Sequence, residues 1–207
     1  MEENWYALKV FFNKVFEVET NLDNLGIETY FPVIKKELKG DEFFRIKKRL
    51  ATPDSLRSDN MFIVEGPRIF RRVPVVNSLV FFKTVPDNIP SVSEMIRGRG
   101  FVYMNPEREK PAVIPSRQME MFKMVSSSGA EGLEFFSEGS MVNYAKGDRV
   151  RVTMDGPLKG AEGYIKRIKK DRRLLVAIEG FVAVATAYIP PRYLEKAEIT
   201  SSSSPME

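Results

Sequence analysis

The sequence concentrates its basic side chains, which can bind anions, in two segments. The 207 residues include 32 Lys and Arg against 28 Asp and Glu, a net charge of +4. The excess is uneven, because segment 35–72 holds eleven basic and six acidic residues, and segment 146–173 holds ten basic and four acidic residues. Such segments suit contact with nucleic-acid phosphates. Two solvated hairpins carrying solubilising charge would explain the same pattern.

Two side-chain types that many enzymes use, cysteine and histidine, are missing. The sequence has no cysteine and no histidine, which excludes disulfides, thiol nucleophiles and imidazole bases. The glycine-punctuated stretch 156–163 does not fit a phosphate-cradling loop, because Lys159 precedes Gly160 and no helix is predicted after it. Carboxylate or lysine catalysis has no paired motif to support it. We therefore expect a binding protein that is not an enzyme and needs no cofactor or metal.

The elements predicted around the first basic segment alternate between strand and helix. Val15, Val18 and Leu22 lie at helical spacing within a helix predicted over 12–25. Apolar alternation and β-branched runs predict strands over 4–10, 27–34, 79–85, 100–104 and 112–114, and helices over 92–97 and from Ser116. Residues 1–125 are therefore predicted to be an α+β domain, with an antiparallel or mixed sheet and flanking helices.

The second half of the chain has a different composition. Ser, Gly and Glu dominate 126–145, which is predicted to be a linker. Residues 146–197 form short β-rich runs broken by Gly and Pro turns, which predicts a small all-β barrel, and 198–207 is predicted to be a disordered tail. A hairpin in this barrel supplies a basic rim: Lys166, Arg167, Lys169, Lys170, Arg172 and Arg173.

No apolar run approaches the roughly 20 residues that span a bilayer. The N-terminus also lacks the basic and apolar regions of a secretory signal. Together with the zero cysteines, these features predict a cytoplasmic protein with no membrane partner. We also expect a monomer.

Several short motifs occur in a characteristic order. They are Trp5-Tyr6, Tyr30-Phe31-Pro32, the run Pro74–Lys83, the segment Pro111–Pro115, Gly147–Val152, Gly156-Pro157, Gly160 and Glu162-Gly163. In this order they resemble the NusG N-terminal domain followed by a KOW domain, over nearly the whole chain. The ending Ala183–Pro190 resembles the specialised NusG paralogues called UpxY, which regulate capsular polysaccharide operons.

The resemblance implies a transcription elongation factor. It implies that the N-terminal domain binds RNA polymerase at the clamp region, bridges the active-site cleft and suppresses pausing or termination. UpxY proteins are similar in acting as operon-restricted antiterminators, on capsular or exopolysaccharide operons. The partner of the KOW barrel stays open between a ribosomal protein and Rho. A KOW-type RNA-binding or ribosome-associated module is the alternative function.

One departure from the family pattern sets the candidate polymerase contacts. Family members have Phe-Pro-Gly-Tyr before the central strand, where an exposed aromatic patch packs on the clamp. Here those positions are Val76, Asn77, Ser78 and Leu79. The candidates for a clamp-facing patch are Val75, Val76 and Leu79, with Phe11 or Phe12 at the start of the first helix. Burial in the core is an equal alternative for them.

A second departure is the length of segment 35–72, which exceeds that of many family members. We hypothesise that this hairpin or helical insertion lies against polymerase and the non-template DNA or nascent RNA. Arg45, Lys47, Lys48 and Arg49 would lie near phosphates. Phe43 or Phe44 would be available for packing or stacking.

Overall fold

The computed structural model describes residues 2–51, 60–107, 109–137, 148–168 and 170–197. The chain divides into two compact units, 1–115 and 116–207. In the described residues, none of the helices is long and apolar enough to cross a membrane.

The first unit contains three α-helices and seven strands among the described residues. The helices are α1 (Val15–Asn24), α2 (Gly40–Arg49) and α3 (Ile89–Met95). The strands are β1 (Asn4–Val10), β2 (Glu28–Tyr30), β3 (Val33–Glu37), β4 (Phe62–Glu65), β5 (Arg68–Pro74), β6 (Leu79–Thr84) and β7 (Gly100–Val102).

A four-stranded antiparallel sheet, in the order β2-β6-β1-β7, forms the main layer of this unit. Strand alternation places Tyr6, Leu8 and Val10 on one face of β1. These residues join one buried core with α1 and α3, which contribute Val15, Val18, Leu22, Ile89 and Val92. The apolar spacing that predicted the first helix therefore describes the face that packs on this sheet.

The insertion contains both a helix and a hairpin. β3, β5 and β4 form a three-stranded antiparallel sheet, against which α2 packs. Phe43, Ile46 and Leu50 recur at spacings of three and four, so they share one helix face and meet Leu38 and Ile69 in a small separate core. Acidic residues in the first turn of α2 and basic residues in the last turn complement its dipole.

Some predicted boundaries differ from the structure. The helix predicted from residue 12 begins at Val15, because Phe12 and Asn13 have left-handed backbone angles. The strand predicted over 27–34 is divided between two sheets at Phe31-Pro32, where proline offers no backbone N–H. The strand predicted over 112–114 contributes one bridge, between Trp5 and Ile114.

Arg72 joins the insertion to the main sheet layer. Its guanidinium donates two hydrogen bonds of 2.8 Å to the Glu19 carboxylate on α1. The rings of Phe16 and Phe31 lie 5.1 and 5.4 Å from its charge centre. Asn60 completes the joint, because its side-chain amide donates to Glu19 Oε2 at 2.7 Å and its backbone carbonyl accepts from Arg72 at 2.7 Å. Charge-assisted bidentate pairs of this kind are strong and fix orientation.

The second unit contains α4 (Ser116–Ser126) and six strands among the described residues. The strands are β8 (Glu134–Ser137), β9 (Arg149–Val152), β10 (Glu162–Ile168), β11 (Asp171–Ile178), β12 (Val182–Tyr188) and β13 (Leu194–Lys196). They form one antiparallel sheet in the order β13-β9-β10-β11-β12-β8. In the described residues its edge strands do not pair with each other, so the sheet is open where a closed barrel was expected.

The segment predicted as a linker over 126–145 contains regular structure. β8 lies within it and pairs with β12, while residues 138–145 lie outside the described part of the chain. Helix α4, expected in the first domain, packs on β11 and β12 of the second unit. Its apolar face, Met119, Phe122 and Val125, is fully buried. The tail predicted over 198–207 also lies outside the described residues.

The ion pair between Arg72 and Glu19 predicts that Glu19 contributes more to the stability of the protein than Glu17, a second carboxylate on α1. Glu19→Gln removes the charge that the half-buried guanidinium needs, so we expect a loss of about 1 to 3 kcal/mol in the free energy of unfolding. Glu17→Gln is the matched control, because Glu17 lies on the same helix but its ion pairs are exposed. Urea denaturation measures both. Equal losses would show that the joint carries no special stability.

Candidate functional site

Exposed aromatic side chains gather at one end of the four-stranded sheet. Phe11, Phe12, Phe101 and Tyr103 form an aromatic row, in which neighbouring ring centroids lie 6.1, 6.0 and 5.5 Å apart. Phe12 is 79% exposed, and Phe11 and Phe101 are exposed as well. Large rings that a fold leaves in water in a contiguous group mark surfaces that bind another macromolecule.

The turn that carries Phe12 is strained. Phe12 and the following Asn13 have φ angles of 57° and 56°, in a region that costs a bulky L-residue about 1 kcal/mol or more. The turn is held on each side, because Phe11 N–H donates to the Arg99 carbonyl at 2.7 Å and Lys14 N–H donates to the Phe11 carbonyl at 3.3 Å. These hydrogen bonds thus hold the Phe12 ring at the surface in spite of the unfavourable backbone conformation.

The predicted valine contacts lie at the same end of the sheet. Val75 and Val76 are half-buried residues of the turn between β5 and β6. The Ser78 carbonyl in this turn accepts a 2.9 Å hydrogen bond from Val10 N–H at the end of β1. Leu79, in contrast, is buried in β6. Its prediction as part of an exposed patch is therefore corrected. Alternation places Leu79 on the face of β6 opposite Val80 and Phe82, and that face is covered as well.

Phe101 and Tyr103 belong to the aromatic row but were not predicted as site residues from the sequence. The signal was present, since Val102 between them is buried and alternation sends both aromatic rings to the opposite face. Their strand can approach β1 because its first residue is Gly100. A Cβ atom there would lie 1.9 Å from the Lys9 carbonyl oxygen.

The predicted basic residues of the insertion lie together on one helix. Arg45, Lys47, Lys48 and Arg49 are all exposed on α2 and are called the basic face of α2. Lys47 lies 5.6 Å above the Phe43 ring, and the Arg49 guanidinium lies 5.0 Å from the Phe62 ring.

The two adjacent phenylalanines of α2 have different environments. Phe43 is half-buried in the small core of the insertion. Phe44 is 68% exposed, and Lys48 follows it at i+4 on the same side of the helix. Phe44 is thus the ring available for stacking, and Phe43 is the packing residue.

The predicted basic rim occupies the hairpin between β10 and β11. Arg167, Lys170 and Arg172 are exposed, Lys166 is half-buried, and Lys169 lies outside the described residues. Arg173 differs from the prediction, because its half-buried guanidinium donates to Glu134 in β8 at 3.0 Å. It ties two strands of the sheet together instead of standing at the rim.

Glu162 organises the strand that carries this rim. Its side chain, only 4% exposed, accepts hydrogen bonds from Arg117, Arg149 and Arg151 at 2.7 to 3.1 Å. The next residue, Gly163, allows β10 to cross close to β11, since a Cβ atom there would lie 2.3 Å from the Leu175 carbonyl oxygen. The Glu-Gly pair therefore has a structural role. Among the described residues, no three acidic side chains are grouped so that they could hold a metal ion.

The arginines around Glu162 change its titration. Burial alone would raise the pKa of its carboxyl, but hydrogen bonds from Arg117 and Arg151, with their charges, outweigh burial and hold that pKa below its usual value. The charged form of Glu162 is therefore favoured in the folded protein.

An antiparallel sheet with an exposed aromatic row, beside a helix with a basic face, defines a protein that binds macromolecules. The family model of NusG, described as "Transcription termination factor nusG", matches residues 3–123. The chain belongs to the NusG family, whose members are transcription factors that bind RNA polymerase. The matched range includes the aromatic row, the insertion and most of α4.

A solved structure described as "Domain interaction in Thermotoga maritima NusG" is similar to this chain. The identity is 15%, the match covers 96% of this chain and 99% of that chain, and the TM-score is 0.41. No curated protein matches this chain.

The lowered pKa of Glu162 predicts a pH-dependent contribution to stability. A carboxyl whose pKa is lower in the folded state stabilises the protein above its unfolded pKa, about 4.3 for Glu, and loses that effect as pH falls through the folded value. We expect Glu162→Gln to lower the melting temperature at pH 7, and the difference from the wild type to shrink below about pH 4. Thermal melts over a pH series measure this. A difference that stays constant down to pH 2.5 would contradict it.

Proposed function

We propose that this chain is a transcription elongation and antitermination factor that docks on the clamp region of RNA polymerase through its aromatic row. The observation that carries the proposal is the strained turn that exposes Phe12 beside Phe11 and Phe101, in a chain of the NusG family. Aromatic anchors of this kind supply most of the binding free energy in many protein interfaces. Docking on polymerase would suppress pausing or termination.

Val75 and Val76 extend the proposed contact. They are half-buried and lie at the same end of the sheet as the row, so they add apolar area beside the rings without an aromatic anchor of their own. In this family the equivalent turn carries two rings. The proposed interface therefore places its main anchors on the β1–α1 turn and β7 in place of the β5–β6 turn.

The basic face of α2 is proposed to contact the non-template DNA or nascent RNA. Four exposed cations within about one and a half helical turns suit a run of phosphates. The exposed Phe44 ring gives an unpaired base a surface to stack on. The insertion carries its own core, so it can present this face as a rigid element.

The target operons of this factor and the partner of its second unit are also proposals. The ending Ala183–Pro190 resembles UpxY proteins, which supports action on capsular or exopolysaccharide operons. Strands β9 to β13 are proposed to correspond to a KOW barrel, with a ribosomal protein or Rho as its partner. Transcript profiles of a deletion strain address the target: loss of downstream reads in one long polysaccharide operon supports the specialisation, and a uniform genome-wide change opposes it.

The aromatic row predicts a loss of polymerase binding that leaves the fold intact. The double variant Phe12→Ala/Phe101→Ala removes exposed rings, so we expect an unchanged melting temperature and at least about a tenfold loss of affinity for a reconstituted elongation complex. Leu25→Ala/Ile34→Ala is the control, because it removes two exposed apolar side chains of the first unit that lie outside the aromatic row and the basic face of α2. Affinity is measured by titration of labelled protein.

Two outcomes would contradict the docking proposal. Wild-type affinity of the double variant would remove the aromatic row as the contact. Cosedimentation with ribosomes in the absence of polymerase, together with no capture by elongation complexes, would favour the alternative of a KOW-type RNA-binding or ribosome-associated module.

The basic face of α2 predicts a salt-dependent contribution. Replacing Arg45, Lys47, Lys48 and Arg49 with Gln should weaken binding to an elongation complex at low salt and flatten the dependence of log K on log salt by about 0.7 for each lost phosphate contact. The control replaces four other basic residues of the first unit, Lys14, Lys83, Arg97 and Lys110, with Gln. Equal slopes for the two variants would show that charge alone, and not this helix, is responsible.

A further inference from the structure

The two arginines of the β10–β11 hairpin form an uncompensated like-charge pair. Arg167 lies directly opposite Arg172 in the antiparallel register, so both side chains project from the same face. Like charges directly opposite each other destabilise a sheet. On the other face Lys166 lies opposite Arg173, and there Arg173 is neutralised by Glu134. Among the described residues, neither Arg167 nor Arg172 has an acidic side chain as an ion-pair partner.

These arginines line a solvent-open cavity. It has a volume of about 550 Å³, and Lys170 and Ile165 complete its lining. Three cations therefore converge on one space above an aliphatic floor. An anion in this space would relieve the repulsion between the two guanidiniums and would accept hydrogen bonds from them.

The cavity continues into an apolar groove. Ile165 and Arg172 also line this second space, of about 200 Å³, with Tyr188, Ile189 and Leu194. Tyr188 is 54% exposed at the end of β12. An exposed ring beside a cluster of cations is the combination that binds single-stranded nucleic acid, since the cations hold phosphates and the ring stacks on a base.

Of these two spaces, only the groove has acidic residues in its described lining. Asp148 and Glu195 line it, whereas the described lining of the basic cavity contains none. Arg172 and Lys196 line the groove too, so its acidic and basic residues balance. The oxygens of Asp148 and Glu195 can accept hydrogen bonds from base amino groups. The basic cavity, with no acidic residue in its described lining, is thus the more favourable place for phosphates, and a base would lie at Tyr188.

We propose that this surface of the second unit, which we call the hairpin groove, is a binding site for single-stranded nucleic acid. It consists of Arg167, Lys170, Arg172 and Tyr188 with the floor residue Ile165. The site is independent of the basic face of α2, which lies in the first unit. A protein ligand with an acidic segment would satisfy the cations but would not need the Tyr188 ring.

The test uses the full chain with the basic face of α2 replaced by Gln at its four positions, so that residual binding reports the hairpin groove. The probes are 12-nucleotide RNA and DNA of one sequence, titrated by fluorescence anisotropy. Arg167→Gln/Arg172→Gln should lower affinity by about tenfold or more at low salt and flatten the salt dependence. The control, Lys159→Gln/Arg192→Gln, removes the same charge from the same unit outside the groove lining and should change affinity less than threefold.

Tyr188 separates stacking from charge. Tyr188→Ala should lower affinity by roughly fivefold or more, and Tyr188→Phe should restore it, because the ring and not the hydroxyl stacks. Tighter binding of one probe identifies RNA or DNA as the ligand, and equal binding supports the shared chemistry. The proposal is overturned if the groove and control variants bind alike, if Phe fails to rescue, or if oligoglutamate competes as well as the nucleic acid.

The result is separable from the proposed polymerase contact. Loss of oligonucleotide binding by the hairpin-groove variants with normal capture by elongation complexes supports the groove alone. Normal oligonucleotide binding by the hairpin-groove variants rejects the groove as the nucleic-acid site, and loss of capture by elongation complexes in Phe12→Ala/Phe101→Ala would then still support the polymerase contact.

Discussion

The ion pair between Arg72 and Glu19 is the interaction on which the arrangement of the first unit depends. It joins a strand of the insertion sheet to the helix that covers the main sheet, and two aromatic rings enclose it. Removing either charge would leave the other half-buried without compensation, which costs more than the pair contributes. The Arg72 guanidinium and its partners, together with Val33, which packs on the main core, therefore fix the relation between the basic face of α2 and the aromatic row.

The local sequence pattern was sufficient to predict the elements that bury one face against their own sheet. β1, β6 and the apolar face of α1 follow from alternation and helical spacing, and the exposure of the basic face follows from the amphipathic character of α2. The family, too, follows from short motifs in order. In these parts the signal is contained within about ten residues, so tertiary context adds little.

The remaining features depend on contacts that a local pattern does not contain. The apolar spacing of α4 predicts a helix, but it does not say which sheet receives Phe122 and Val125. A four-residue strand such as β8 exists only because β12 offers it an edge. The exposure of Phe12 depends on a backbone angle that propensity disfavours. Leu79 was misassigned because β6 is covered on both faces, and a β-rich run alone does not show what covers its second face.

The small core of the insertion has an evolutionary consequence. Leu38, Ile46, Leu50 and Ile69 pack with one another and not with the main sheet, so the insertion satisfies its own apolar residues. Substitutions on its outer surface are then tested by selection for what that surface touches, with little penalty to the rest of the protein. Such a module can diverge between paralogues, or be transplanted, while the sheet that carries the aromatic row stays unchanged.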